Sequence, residues 1–477
     1  MQIAKLIRIL EPIIIKRNLA PNTESLEINN FVIDSRIVAK NDCFIPLKGE
    51  KTDGHYYIKD AIKRGAVCAL ASYKFSFIKE LPQEYQKKLI IIKTSGLNAI
   101  RKIAKENVRK YITRYNFAIT GTSGKTTTKE VLAFMLRKLN HTVFVPQKGL
   151  NGEIGTPLAL ANLNKYFEFA VLEFATAKFG EILSQARVAR PDTAILITVG
   201  HAHTQFLKDI HGVKKAKGEI FTKAKKAILP DILNKEYKKI LPKKNMTFGY
   251  TNHADIKISD IKITSKGTLG TIYYKGKKYS VYIPLYHAHI LENISAALGA
   301  LIINNIVNEK NIKKTLMYLK TFNPPNQRGV IRYYTYKRTK ITFADYTYNA
   351  NEVSIRNTVD TLESIQTNLP KILYIADVLE LGKLEKQQHE QFAYQLKRLK
   401  NHVQAIFFQG ELMEITYKKL KELAPNLHTF HSKDPYKLHK KLNTIVEKYP
   451  KVLVWAIGSH GMKTWEITKN WHEHQRN

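Results

Sequence analysis

The stretch Phe117-Ala118-Ile119-Thr120-Gly121-Thr122-Ser123-Gly124-Lys125-Thr126-Thr127-Thr128 decides the reading of this chain. A short apolar run leads into a turn bracketed by Gly121 and Gly124. The residues that follow, KEVLAFMLRKL, carry apolar side chains at helical spacing, so a helix is expected to open at about Thr126. Strand, glycine loop and helix N-terminus together form a phosphate cradle. Loop N–H groups and the helix dipole favour an anion, and Lys125 adds a mobile positive charge. The Thr126 hydroxyl is placed to ligate Mg²⁺ carried by a nucleotide. The usual spacing of such loops puts a glycine where this chain has Ile119; Gly121 stands instead, so the loop is a variant. A bare glycine turn would account for Gly-Lys-Thr, but not for the strand before it and the helix after it.

Composition bounds what can surround this loop. The chain has 477 residues, 44% of them hydrophobic, which is enough for several domains with cores of their own. Cys43 and Cys68 are the whole cysteine complement, too few for a disulfide framework and suited to a reducing compartment. The N-terminal MQIAKLIRILEPIIIKRNLA is apolar but interrupted by Lys5, Arg8, Glu11 and Lys16, so it reads as an amphipathic helix of the fold and not as a signal peptide. No apolar run approaches a membrane span, and the expectation is a soluble cytoplasmic monomer. The formal net charge of +37 admits a nucleic-acid or anionic-membrane partner. The lysines are dispersed, as in YKKILPKKN and YKLHKKLN, and not gathered in one tail, so the charge reads as solvated surface that also attracts anionic substrates.

Taken in order, residues 1–94 read as a small α/β module. It contains Asp34-Ser35-Arg36, the turn-rich KGEKTDGH and a helix ending on Gly65. Residues 95–325 hold a linking helix, the phosphate loop, and strands and helices alternating around it: FAVLEF ending near Glu173, DTAILITV, then a helix carrying KKAKGEIFTKAKK. That alternation predicts a parallel, doubly wound central sheet with ligands beyond the carboxyl ends of its strands. Glu173 and His203 both follow strand ends and could complete a metal site. Residues 250–285 read as short strands with a Lys-Gly turn, before the helix HAHILENISAALGALII. After Pro324-Pro325, residues 326–477 alternate again as a second, Rossmann-like α/β domain that ends in a helix. The expected fold is thus α/β in three domains, at 1–94, 95–325 and 326–477.

These motifs, in this order, resemble the Mur ligase family of ATP-dependent amide ligases. TGTSGKTTT is similar to the family's glycine loop, with Gly121, Thr122, Ser123, Gly124, Lys125, Thr126 and Thr127 on the nucleotide. The resemblance implies that Glu173 and the His203 of Ala202-His203 hold Mg²⁺. It implies that Lys217 in AKGEI is carbamylated and ligates a second Mg²⁺, and that Asn293, four residues after His289, meets the nucleotide. Arg328, Asp345 and the Tyr348-Asn349-Ala350-Asn351 run resemble the motifs that open the C-terminal domain. Asp34, Ser35 and Arg36, together with FIPLKGEKTDGH, are similar to a UDP-sugar site, with Asn151, Tyr348 and Asn349 as further substrate contacts. YNAN, AKGEI and ADVLELG point to the branch that adds D-alanyl-D-alanine to UDP-N-acetylmuramoyl tripeptide. Departures from the family pattern at Gly152, Phe174-Ala175, Ala177, Thr198, Glu352 and Ile457 fall mostly around the acceptor and the incoming amine.

The implied chemistry is amide formation through an acyl phosphate, with Lys125, Lys217 and His203 as catalytic residues and ATP and Mg²⁺ as cofactors. The expected partners are small-molecule substrates, not nucleic acid. Two other readings remain open. One is a Mur-like ligase for a different carboxylate and amine; the other is a nucleotide-binding paralogue that has lost ligation.

Overall fold

The computed structural model describes every residue except 201–206, 208, 380 and 475–477, and all counts below refer to the described residues. Mixed sheets, mostly parallel, build an α/β chain of three domains. By contacts the chain gathers into two compact units. The first comprises Met1–Ala118, Thr142–Thr176 and Glu181–Asp192; the second comprises Ile119–His141, Ala177–Gly180 and Thr193–Asn477.

The first unit contains a five-stranded sheet in the order Ile14–Leu19, Lys88–Ile92, Cys68–Ser72, Cys43–Phe44, Phe31–Val32. All its pairings are parallel except the first. The N-terminal segment corrects the expectation of one helix. Helix Ile3–Leu10 stops at Glu11-Pro12, and Ile14–Leu19 is a strand. Pro12 cannot extend a helix, and the β-branched Ile13-Ile14-Ile15 run favours extended backbone. Gly65, with φ +116°, ends the turn after helix Ile58–Lys63, and its added Cβ would crowd Lys40 Cα at 3.0 Å. Helix Gly96–Tyr111 is capped by Ser95, whose side chain accepts from Asn98 N–H. Strand Phe167–Glu173, parallel to Val143–Phe144, carries Glu173 at its carboxyl end.

In the second unit, Thr193–Leu196, Lys226–Pro230 and Lys244–Gly249 run parallel, and Ile256–Thr264 joins them in parallel. Antiparallel strands Gly267–Tyr274 and Lys277–Ile283 then extend the sheet. The Lys275-Gly276 turn between those two strands has positive φ at both residues, which matches the twist of a two-residue hairpin. The expected helix over KKAKGEIFTKAKK is shorter. It runs Ile210–Gly218, then a 3-10 turn, and Lys226 already belongs to the next strand. The apolar AILP after the lysines commits that piece to the sheet.

The C-terminal sheet has the order Thr429–Ser432, Ala405–Gln409, Lys371–Ala376, Lys451–Ile457, Thr339–Tyr346, Val330–Tyr336, His472–His474. Its first five strands are parallel and the last two antiparallel. Alternation along the strands sends Phe343, Tyr374, Phe407 and Val454 to one face, under Leu438 and Leu442 of helix Pro435–Val446. Leu373, Ile375, Phe408 and Trp455 go to the other face, under helices Glu352–Ser364 and Glu385–Leu396. Apolar residues on both faces are what a doubly covered parallel sheet requires. The helix expected at the end of the chain is instead two 3-10 turns and the edge strand His472–His474. Ile365–Gln366 pairs with Ile263 and Thr264, tying the C-terminal part to the sheet that precedes it.

Candidate active site

The glycine loop is held by residues far along the chain. Thr122 N–H donates to Thr198 O at 2.9 Å, and Ser123 N–H to Thr198 Oγ1 at 2.9 Å. Thr198 Oγ1 returns a bond to Ser123 O at 3.0 Å. Thr198, one of the departures from the family pattern, therefore braces the loop from both sides. Gly124 has φ +82° and caps helix Lys125–Lys138. A Cβ there would lie 2.5 Å from Asn293 Oδ1, so both backbone and space exclude a side chain. Asn293 is buried in helix Ile290–Ile303, and its Oδ1 accepts from Thr128 Oγ1 at 3.0 Å. In this structure Asn293 thus backs the loop. Lys125 Nζ folds over the loop, donating to Gly121 O at 2.8 Å and Thr122 O at 3.3 Å. Thr126 is buried in the first turn of the helix.

Lys217 lies in the last turn of helix Ile210–Gly218, 3% exposed. Among the described residues it has no hydrogen-bond or ion-pair partner. Burial lowers its pKa well below the usual lysine value, and the charge of Lys125 lowers it further. A buried ammonium facing a second ammonium is unfavourable unless it is neutral or meets an anion. Sequence spacing alone leaves Lys217 as an ordinary residue of a lysine-rich helix; its burial is a property of the packing.

A small cavity of about 80 Å³ joins the loop to the C-terminal residues. Ser123, Gly124 and Thr127 line one side, and Arg328, Tyr348 and Asn349 line the other. The Arg328 guanidinium sits 4.0 Å from the centre of the Tyr348 ring. Tyr348 in turn packs on His460 at 5.6 Å, and His460 stacks on Trp465 at 4.7 Å. Asp345 is buried at the end of strand Thr339–Tyr346. Burial raises its pKa, against the hydrogen bonds it accepts from Thr347 Oγ1 at 2.7 Å and Thr347 N–H at 3.1 Å. Asn351 caps the next helix through a reciprocal pair with Ser354. Ile457, another departure, is buried in the cavity wall.

The remaining expected residues lie in the first unit or outside the described residues. Glu173 is buried, and its Oε1 accepts from Asn151 Nδ2 at 3.0 Å. Arg36 is turned onto Asp34 in a two-pronged pair, Nε to Oδ1 at 2.9 Å and Nη2 to Oδ2 at 2.6 Å. That hydrogen bond holds the Asp34 carboxyl down at about 2. Ser35 is buried beside them. His203 lies outside the described residues.

A larger cavity of about 650 Å³ in the first unit was legible in the sequence only in part. Lys48, Lys74 and Lys93 line it, together with Ser95 and Asn98 at the N-terminus of helix Gly96–Tyr111. His55 forms its inner wall. Its Nδ1 is 2.6 Å from Asp53 Oδ1, its Nε2 accepts from Ser72 N–H at 3.0 Å, and its ring stacks on Phe75. Three lysines and a helix N-terminus around one hollow suit an anionic ligand. Gly54 packs the turn behind it, where a Cβ would meet Leu47 backbone at 2.8 Å. The sequence signal for this pocket is FIPLKGEKTDGH, which supplies Lys48, Asp53 and His55; Lys74 and Lys93 sit in segments with no motif.

A glycine loop at a helix N-terminus, a buried lysine beside it with no partner among the described residues, and a covered parallel sheet define a nucleotide-dependent α/β enzyme. Residues 27–111 match the model described as "Mur ligase family, catalytic domain", and residues 119–301 match "Mur ligase middle domain". A relative from Rickettsia prowazekii is 30% identical, over 77% of this chain and 80% of its own length. One from Buchnera aphidicola subsp. Baizongia pistaciae is 29% identical, over 91% and 90%. The chain belongs to the Mur ligase family. Both relatives bear the name UDP-N-acetylmuramoyl-tripeptide–D-alanyl-D-alanine ligase, as does one from Bacillus subtilis at 28% identity over 78% of each chain. Among solved structures, MurF from Acinetobacter baumannii shares the fold at a TM-score of 0.83 and 21% identity, over 98% of both chains. MurF from Thermotoga maritima, solved with ADP, does so at 0.77 and 24%, over 93% of this chain and 96% of its own. Among the described residues no helix is long and apolar enough to cross a membrane.

Proposed function

We propose that this chain is an ATP-dependent ligase that joins D-alanyl-D-alanine to UDP-N-acetylmuramoyl tripeptide, a step of peptidoglycan precursor synthesis. The observation that carries this reading is Lys217, buried beside Lys125 of the glycine loop with no counter-charge among the described residues. The shared name of the relatives supports the choice of substrates.

In this reading the glycine loop binds the nucleotide phosphates, and Lys125 swings from the loop carbonyls onto them. Lys125 and the helix N-terminus stabilise charge on the phosphoryl group as it passes to the tripeptide carboxylate. The amine of the dipeptide then attacks the carbonyl carbon of the acyl phosphate; the C–N bond forms, the C–O bond to phosphate breaks, and a proton leaves the amine. Thr126, Glu173, His203 and a carbamylated Lys217 would hold Mg²⁺, and the metal would supply positive charge against the phosphate oxygens. Burial, which lowers the Lys217 pKa, favours the neutral amine, the form that would add CO₂, releasing a proton and leaving an anion where an ammonium would repel the metal. Arg328 and Asp345 complete the nucleotide pocket, and Asn293 fixes the loop from behind.

The lysine-lined cavity is the proposed seat of the UDP-linked acceptor, with Asp34, Ser35, Arg36 and Asn151 as flanking contacts. Tyr348 and Asn349 face the incoming amine. The reading carries a division into domains at 1–94, 95–325 and 326–477, and a cytoplasmic monomer acting on small molecules. The test is phosphate release, measured with panels of UDP-muramoyl peptides and amines. Release that needs both UDP-N-acetylmuramoyl tripeptide and D-alanyl-D-alanine is expected. Release with a different pair would mean a re-aimed ligase. ATP binding with no release for any pair would mean a paralogue without ligation.

A further inference from the structure

The small cavity has two walls built by helices distant in sequence. One is the glycine loop, backed by Asn293 of helix Ile290–Ile303. The other is helix Glu352–Ser364, which contributes Ser354, Asn357 and Thr361. His289 stands at the start of the first helix and touches both. Its Nδ1 is 2.9 Å from Glu292 Oε1, and its Nε2 is 3.0 Å from Asp360 Oδ2 on the second helix. Ala288 N–H donates to Thr361 Oγ1 at 3.0 Å beside this bridge. Each carboxylate is held in turn. Tyr250 OH donates to Glu292 at 2.9 Å, and Arg398 Nη2 donates to Asp360 Oδ1 at 2.8 Å while its Nε donates to Glu363 at 3.0 Å.

A carboxylate at each ring nitrogen requires both nitrogens to donate, which only the imidazolium can do. Burial pulls the His289 pKa down, but Asp360 and Glu292 outweigh it and raise it to about 9. The neighbouring His287, with ring centres 6.5 Å apart, opposes the charge only weakly, because burial drives its own pKa down to about 3.

We propose that His289 is a positioning residue: by bridging Glu292 on the loop-backing helix and Asp360 on the opposite helix, it sets the spacing of the two walls that grip the nucleotide. The proposal rests on the nucleotide reading of this cavity. A pKa raised from about 6.5 makes the bridge complete below that pH, and it is lost as pH rises through about 9.

The experiment is calorimetric titration with ADP of the unmodified protein, His289→Gln, Asp360→Asn and the double variant, from about pH 7 to about pH 10. Each single variant should weaken ADP binding roughly tenfold. The double should be no weaker than the weaker single, since the two share one interaction. Affinity of the unmodified protein should fall through pH 9, and Asp360→Asn should lack that step. Additive losses, or a step that survives in Asp360→Asn, would overturn the proposal. Hydrogen exchange without nucleotide gives a second readout. Exchange over Glu352–Ser364 should quicken in His289→Gln, and unchanged exchange there sinks the bridge. An unmodified protein that binds no ADP would remove the nucleotide reading, and the exchange result would still decide the bridge.

Discussion

The glycine-loop region and the Asp34–Arg36 turn each present a cation where an anionic substrate is expected, and the fold treats the two oppositely. Lys217 is buried beside Lys125 with no described carboxylate to meet it. Arg36 is 83% exposed and already carries its own carboxylate, Asp34, two residues away. A buried, uncompensated charge costs several kcal/mol unless it neutralises or finds an anion. An exposed pair contributes about 0–1 kcal/mol and does not need a ligand. The lesson is that environment, not residue type, separates a site built around something from a turn that is complete in itself.

The hardest way to break this contrast is at the loop. Lys125→Ala should lower the rate of phosphate release by roughly a hundredfold or more, with an unchanged circular dichroism spectrum, because the side chain donates to loop carbonyls. Near-normal turnover would remove the loop from the mechanism. Lys217→Ala should be similarly inactive but partly restored by acetate or formate, which supply the missing carboxylate; full activity without rescue would mean Lys217 has only a packing role.

Gly124→Ala tests the cradle itself. It places a methyl group against Asn293 in a left-handed turn, and such strain costs about 1–3 kcal/mol. A fall of several degrees in Tm together with weaker ATP binding is expected, whereas a stable protein with normal ATP affinity would mean the loop can move aside.

Lys93→Ala sharpens the contrast within the first unit. It should raise KM for UDP-N-acetylmuramoyl tripeptide about tenfold with kcat little changed, as loss of uniform binding to an anion does. Arg36→Ala should have the smallest effect, at most a few-fold in the calorimetric affinity for the same compound, because the guanidinium is already paired. Loss of all saturable binding in Arg36→Ala, with Lys93→Ala unaffected, would invert the assignment and make the Asp34–Arg36 turn the acceptor site.

By itself the sequence determined the features made by contiguous residues. The strand, glycine turn and helix of residues 117–128 are local: backbone N–H groups, a positive-φ glycine and a lysine act over a few positions, so their spacing is enough to read them. The same holds for the alternating strands of the C-terminal sheet and the Lys275-Gly276 hairpin. Only the tertiary structure decided the rest. Whether Ile14–Leu19 extends a helix or joins a sheet depends on its antiparallel partner Lys88–Ile92. Thr198 braces Ser123 from 75 residues away, and His289 meets Asp360 from 71. Lys217 is unusual only because packing removes its water, and Lys48, Lys74 and Lys93 form a pocket only because three separate segments converge. Burial and charge pairing are sums over neighbours in space, and no window along the chain contains those neighbours.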